Sequence, residues 1–240
     1  LRAAGKLPDK KQTAGTFLAA CQDHRTWTLF VIYGACFGME LTINNVAALY
    51  FLDYFDEFQT LDPIKAVSAA GLVASLFGGM NLFARTLGGT FGDRFGQKWG
   101  LSGRVKWLFL TIFCEGVALM TFSQINVLVL AIPALLVFSL FVQMASGATF
   151  SVVPFINKGA LGSVAGIVGA GGNAGAVAAG FLFKSSAISW PTALFLLGAV
   201  VTCCSFLSFA VSFSESCETE ARAATRAALA ARQPSPAPIG

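Results

Sequence analysis

The chain is short of charge. Acidic and basic residues make up only 12% of its 240 residues, apolar residues 55%, and the mean hydropathy is +0.70. That balance excludes an ordinary soluble domain, in which roughly a quarter of residues are charged. Histidine is scarcer still. His24 is the only one and sits at a helix entrance, so no Ser-His-Asp set is available and no histidine-rich metal site can be assembled. None of the six cysteines (Cys21, Cys36, Cys114, Cys203, Cys204, Cys217) forms a Cys-x-x-Cys pair, which argues against zinc, redox and disulfide-framework readings. Basic residues are not interleaved with aromatics, so the net charge of +4 gives no hint of nucleic acid. The expectation is a non-enzyme without catalytic residues, metal or cofactor.

What the sequence has is long apolar runs. A helix needs about 20 apolar residues to cross a bilayer. Six stretches qualify, roughly 26–51, 66–92, 105–123, 127–152, 161–183 and 190–213. They are too long and too continuously apolar for the alternating strands of a membrane β-barrel. The fold class predicted is an all-α membrane protein, a six-transmembrane-helix bundle in a lipid bilayer. Residues 1–25 are polar and basic, with no signal-peptide core. They read as a cytosolic linker inside a longer protein. Residues 214–240 read as a cytosolic tail, partly a surface helix of Ala and Arg and partly a disordered Pro-rich end.

Basic residues fix the orientation. With the N-terminus in the cytosol, 13 of the 16 Lys and Arg fall inside, Lys65 and Lys184 fall outside, and Arg85 stays in the membrane. The acidic loop of Asp53, Asp56, Glu57 and Asp62 then lies outside. Both termini are predicted cytosolic.

Three ionisable residues remain within the spans, Glu40, Arg85 and Glu115. Such residues cost roughly 2.5–3.5 kcal/mol on insertion scales and need a partner or a wet cavity. Arg85 has two readings. It is an anchor snorkelling to the cytosolic edge, or an interior cation. The next charge is Asp93, eight residues on and roughly 12 Å along a helix, which favours the interior. Ser75, Gly78, Asn81, Arg85, Gly88, Gly89 and Gly92 share a small, polar face opposite Leu72, Leu76, Met80, Phe83, Leu87 and Phe91. Glu115 has no such stripe and reads as structural.

A second informative run is "GSVAGIVGAGGNAGAVAAG", residues 162–180. Its small-xxx-small pairs, Gly162/Gly166 and Gly171/Gly175, suit close helix contact. Asn173 shares a face with Gly166, Gly169 and Gly180 and is expected to be a buried amide beside a passage for a small polar solute. No strand precedes these glycines, so a dinucleotide loop is excluded.

The run "GGTFGDRFGQK" (88–98) resembles the Gly-x-x-x-Asp-Arg-x-Gly-x-Lys loop of major facilitator transporters, through Gly89, Asp93, Arg94, Gly96 and Lys98. "GAGGNAGA" (169–176) resembles the second signature of the nitrate/nitrite porter family. "FGMELTINN" (37–45), "MNLFARTLGG" (80–89) and "GATFSVVPF" (147–155) are similar to its eukaryotic high-affinity nitrate transporters. The similarity runs over residues 20–213. It implies a twelve-helix transporter of which this chain is the C-terminal half, the N-terminal six-helix half lying elsewhere. It also implies a nitrate or nitrite substrate, bound at Arg85 beside Gly169, Gly171, Gly172, Asn173 and Gly175, with uptake coupled to protons at the plasma membrane. In that frame Thr149 orients the anion's oxygens and Phe37 covers the ion. Glu40 is a counter-charge, a proton-coupling group or a helix tether, and Asn44 lines the same face. Asp93 and Arg94 latch one state. The presence of an accessory subunit is left open. Two alternatives share the fold: a transporter of another small anion, and a non-transporting membrane half that pairs with a partner chain.

Overall fold

A computed structural model describes residues 14–184 and 187–232, with no strand among them. The helices are α1 (Ala14–Gln22), α2 (His24–Tyr54), α3 (Asp56–Gln59), α4 (Pro63–Gly79), α5 (Asn81–Trp99), α6 (Leu101–Ser123), α7 (Leu128–Val152), α8 (Leu161–Lys184), α9 (Trp190–Ser205) and α10 (Glu215–Arg232). Six segments among the described residues are long and apolar enough to cross a membrane: His24–Tyr54, Pro63–Trp99, Leu101–Ser123, Leu128–Phe155, Lys158–Lys184 and Trp190–Ala210. The linker charges Arg2, Lys6, Lys10 and Lys11 and the Pro-rich end, 233–240, lie outside the described residues.

Local chemistry sets the ends. The Asp23 side chain accepts from Arg25 N and caps α2, while Asp62 caps α4 with Pro63 in the first turn. Ser189 does the same for α9. The second span is not one rod. It breaks at Met80, directly after Gly78 and Gly79, where the bonds Met80 N to Leu76 O and Phe83 N to Met80 O stretch to 3.4 Å. A glycine pair weakens the helical ladder at such a point.

Glycines also bring the helices together. α2 packs most extensively on α8, α6 on α9, and α5 and α6 on α7. Gly34 and Gly38 of α2 lie against the backbone of Gly171 and Gly175 of α8. Gly88 of α5 meets Met144 of α7, and Gly147 of α7 meets Arg85 and Gly89 of α5. Gly116 of α6 meets Gly198 of α9. With no hydrophobic drive between helices in lipid, such close backbone approach supplies the packing. Leu72, Leu82 and Val129 stay exposed, a surface suited to lipid or to further helices.

The predicted cytosolic ends are tied by two arginines. Arg25 binds Asp23 at 2.6 Å and donates to the carbonyls of Ile156 and Ser212. Arg25 in turn holds the Asp23 carboxyl below its usual range. Arg104, buried at the start of α6, binds Asp93 at 2.5 Å and donates to Ser151 O at 3.1 Å. It thereby links α5, α6 and α7.

Candidate functional site

Arg85 lies in α5, 14 residues before its last residue, Trp99, or roughly 21 Å along the axis. Its Nη2 donates to Glu40 Oε2 at 2.6 Å and to Gln143 Oε1 at 3.4 Å. The guanidinium carbon sits 5.4 Å from the centre of the Phe37 ring, within cation–π range. Three helices thus converge on one cation: α2 through Glu40 and Phe37, α5 through Arg85, α7 through Gln143.

The pair is lopsided. The Glu40 side chain is 5% exposed and that of Arg85 37%, so the acid lies inside and the cation reaches an open edge. Ser146 of α7 donates to the same Glu40 oxygen at 3.4 Å. Two buried donors lack any acceptor among the described residues, Arg85 Nε and Gln143 Nε2. A buried donor left unmet costs about 1–3 kcal/mol.

Phe37 is held in place from below. It stacks on Tyr33 with centroids 5.0 Å apart and planes 8° apart. Tyr33 in turn meets Phe150 edge-on at 5.2 Å. Gly172 of α8 leaves the room the Phe37 ring fills. Gly171 and Gly175 press on Phe30 and Gly34 of α2, whereas Gly169 faces open space. The signature therefore seats an aromatic platform and a helix crossing.

Other predicted residues sit elsewhere. Asn173 is exposed, which corrects the expected buried amide. It lies on the α8 surface with Gly166, Gly169 and Gly180, none of which has a neighbour that an added methyl would touch, because no described helix covers that side. Thr149 is fully buried. Its hydroxyl donates to Ala145 O at 2.9 Å and lies 3.9 Å from Cys36 Sγ; no contact joins it to Arg85. Asn44 is exposed, its Oδ1 beside Gly78 at the end of α4. Asp93 is tied to Arg104, and Arg94 lies over Phe91 at 5.3 Å.

Sequence reasoning missed Gln143, Ser146 and Arg104. A signal for the first two existed: Ser139, Gln143 and Ser146 recur at helical spacing in an otherwise apolar run.

No protein-family model matches the chain. It is 41% identical over 185 residues to high affinity nitrate transporter 2.5 of Arabidopsis thaliana, covering 77% of this chain and 35% of that protein. Nitrate transporter 2.2 of Chlamydomonas reinhardtii shares 32% identity over 191 residues, 79% of this chain and 36% of the relative. The nitrate/nitrite transporter NrtP of a Picosynechococcus strain shares 35% over 154 residues, 62% and 26% of the two chains. The chain thus spans about a third of the length of the relatives it matches. Among solved structures, the inward open xylose transporter XylE of E. coli superimposes with a TM-score of 0.59 at 15% identity, over 89% of this chain and 57% of the other. That likeness gives the fold, six helices forming one half of a major facilitator bundle. These relatives are named as transporters.

Proposed function

We infer that the chain belongs to the nitrate/nitrite porter family of the major facilitator superfamily and forms the anion-binding C-terminal half of a transporter for nitrate or nitrite. The partner would be a second six-helix half, and the two would rock about the bound anion in alternating access. Arg85 carries the reading. Nitrate stays ionised at cellular pH, so it crosses an apolar barrier only where a cation awaits it. A guanidinium is permanently charged, and its planar fork matches a planar oxyanion.

Arg85 is paired with Glu40. An arriving anion takes over part of that role, accepting from the unpaired Arg85 Nε and Gln143 Nε2 while the Phe37 ring shields one side. Asn173 and the open face of α8 would border the route on the side that the partner half closes. The Asp93–Arg104 tie would hold one state of the cycle closed at the cytosolic end. Uptake would be coupled to protons. The excess of Lys and Arg on one side supports a multi-pass orientation with both termini cytosolic, and the membrane would be the plasma membrane.

The test is nitrate uptake by the full-length transporter in proteoliposomes. Arg85→Lys keeps the charge and loses the fork. The expected result is a fall in uptake of about tenfold or more, as for a lost charge-assisted hydrogen bond, with unchanged yield of folded protein. Wild-type-like uptake by the variant overturns the role of Arg85. Preference of the wild type for another small anion overturns the substrate.

A further inference from the structure

Glu115 of α6 is left over by the site just described. Its side chain is completely buried at 0% exposure, and neither carboxylate oxygen has a hydrogen-bond partner among the described residues. No ion pair reaches it, although Arg85, Arg104 and Arg25 are each engaged elsewhere. An ionised carboxylate in that position would be desolvated without compensation.

Its neighbours make it more than an isolated acid. The titratable groups that act on it electrostatically are Cys36 and Glu40 of α2 and Cys204 of α9. α7 carries no acidic or basic residue over Leu128–Val152. Arg85 of α5 is bound by Glu40. Between α2 and α7 the polar contacts are those of Cys36, 3.9 Å from the Thr149 hydroxyl, and of Ser146, which donates to Glu40. Glu115 and Glu40 therefore repel one another when both are charged, and Glu40 is the acid bound to Arg85.

We propose that Glu115 is a proton site linked to anion occupancy at Arg85. With Glu115 neutral, the buried set of Glu40, Arg85 and Glu115 carries no net charge, and an anion can settle on Arg85. Loss of the Glu115 proton gives two negative carboxylates against one guanidinium, and the anion is repelled. Linkage makes the effect mutual: an anion on Arg85 strengthens proton binding, and the proton strengthens anion binding. This inference deepens the anion-transport reading of the same site and rests on it.

The experiment uses the full-length transporter and compares wild type with Glu115→Gln, a close isostere that stays neutral at every pH. Nitrate binding is read as thermal stabilisation across a pH series, and nitrate accumulation as uptake driven by a proton gradient. In the wild type, binding should weaken as pH rises. In E115Q it should be independent of pH, nitrate-for-nitrate exchange should persist, and gradient-driven accumulation should fall by about tenfold or more, within the range usual for coupled sites. The same pH dependence in both proteins overturns the inference, as does full accumulation by E115Q. Glu115→Asp, which keeps a titratable group, should recover part of the pH dependence; a profile as flat as that of E115Q overturns the inference. Infrared spectroscopy separates the two readings. If the wild type binds no nitrate at all, the transport assignment fails. A protonated-carboxyl stretch lost in E115Q still supports the proton site, and its absence from the wild type overturns it.

Discussion

The ring of Phe37 occupies the space where a side chain on Gly172 would begin, with its Cγ and the Tyr33 Cδ1 each 3.2 Å from that point. Two stacked rings from α2 thus lean on one glycine of α8, and the upper ring lies beneath Arg85. Gly172→Ala must push Phe37 aside, and overpacking of this kind costs about 1–3 kcal/mol. Gly169, three residues earlier, faces open space, and alanine is the better helix former by about 1 kcal/mol. Thermal unfolding of the full-length protein should show G172A less stable and less protected by nitrate. G169A should unfold at the wild-type temperature or above. Equal behaviour of the two variants would mean that the glycine does not seat the ring.

Glu40→Gln tests whether the acid competes with the guest. The Glu40 carboxylate is buried while Arg85 is partly exposed, so removing its charge leaves a cation short of a partner. Unliganded E40Q should therefore lose stability. Nitrate should restore more of it than it adds to the wild type, because a ligand that binds only the folded state stabilises in proportion to its occupancy. Thermal shift against nitrate concentration measures both effects. A smaller nitrate shift in E40Q than in wild type would show that Glu40 helps to hold the anion.

Gln143 offers an unpaired Nε2 beside Arg85. Gln143→Leu fills a similar volume and removes a buried donor that has no acceptor among the described residues, so folding should be little changed. Nitrate affinity should fall by up to about tenfold, the loss of one neutral hydrogen bond of about 1 kcal/mol. Calorimetric titration of the purified transporter would read this. Unaltered affinity would place the amide outside the anion's reach.

Much of this was legible before any coordinates. Long apolar runs can only be satisfied as helices in a bilayer, so the bundle and its six spans followed from Leu, Val, Phe and Gly spacing. Arg85 announced itself because a lone charge in such a run demands a partner, and Glu40 was one of only two candidates. The rest depended on which faces meet. Periodicity put Asn173 on one face of α8 with Gly166 and Gly169, but it could not say that this is the uncovered face, because coverage is decided by the other helices. Thr149 and Gln143 lie six residues apart on α7, yet only Gln143 points at the cation. The break at Met80 was equally hidden, since Gly78 and Gly79 are tolerated within many helices and kink only where packing allows. Arg104 looked like one more cytosolic positive charge until its contacts with Asp93 and Ser151 appeared.

The start of α6 is capped from a distance, which yields a prediction in pH. Gly100 precedes it in the left-handed region, at φ 72°, and offers no side chain to the first turn. Glu218 of α10 does so instead, accepting from Leu101 N at 3.0 Å and Ser102 N at 3.1 Å. A negative group at a helix N-terminus is favoured by the local dipole as well as by the hydrogen bonds. Partial burial pushes the Glu218 carboxyl up, but the two amides and Arg222 outweigh it and leave it below its usual range. A lowered folded-state value means that the contribution is complete above the ordinary glutamate range, about 4.3, and is lost as pH falls through the lowered value. Protection of the Leu101 and Ser102 amides in hydrogen exchange, corrected for intrinsic rates, should thus hold from neutral to mildly acidic pH and then fall. Glu218→Gln should weaken it at neutral pH by about 1 kcal/mol, as for loss of a cap, and flatten the acid transition. Matching profiles in wild type and variant would show that α10 does not cap α6 through this carboxylate.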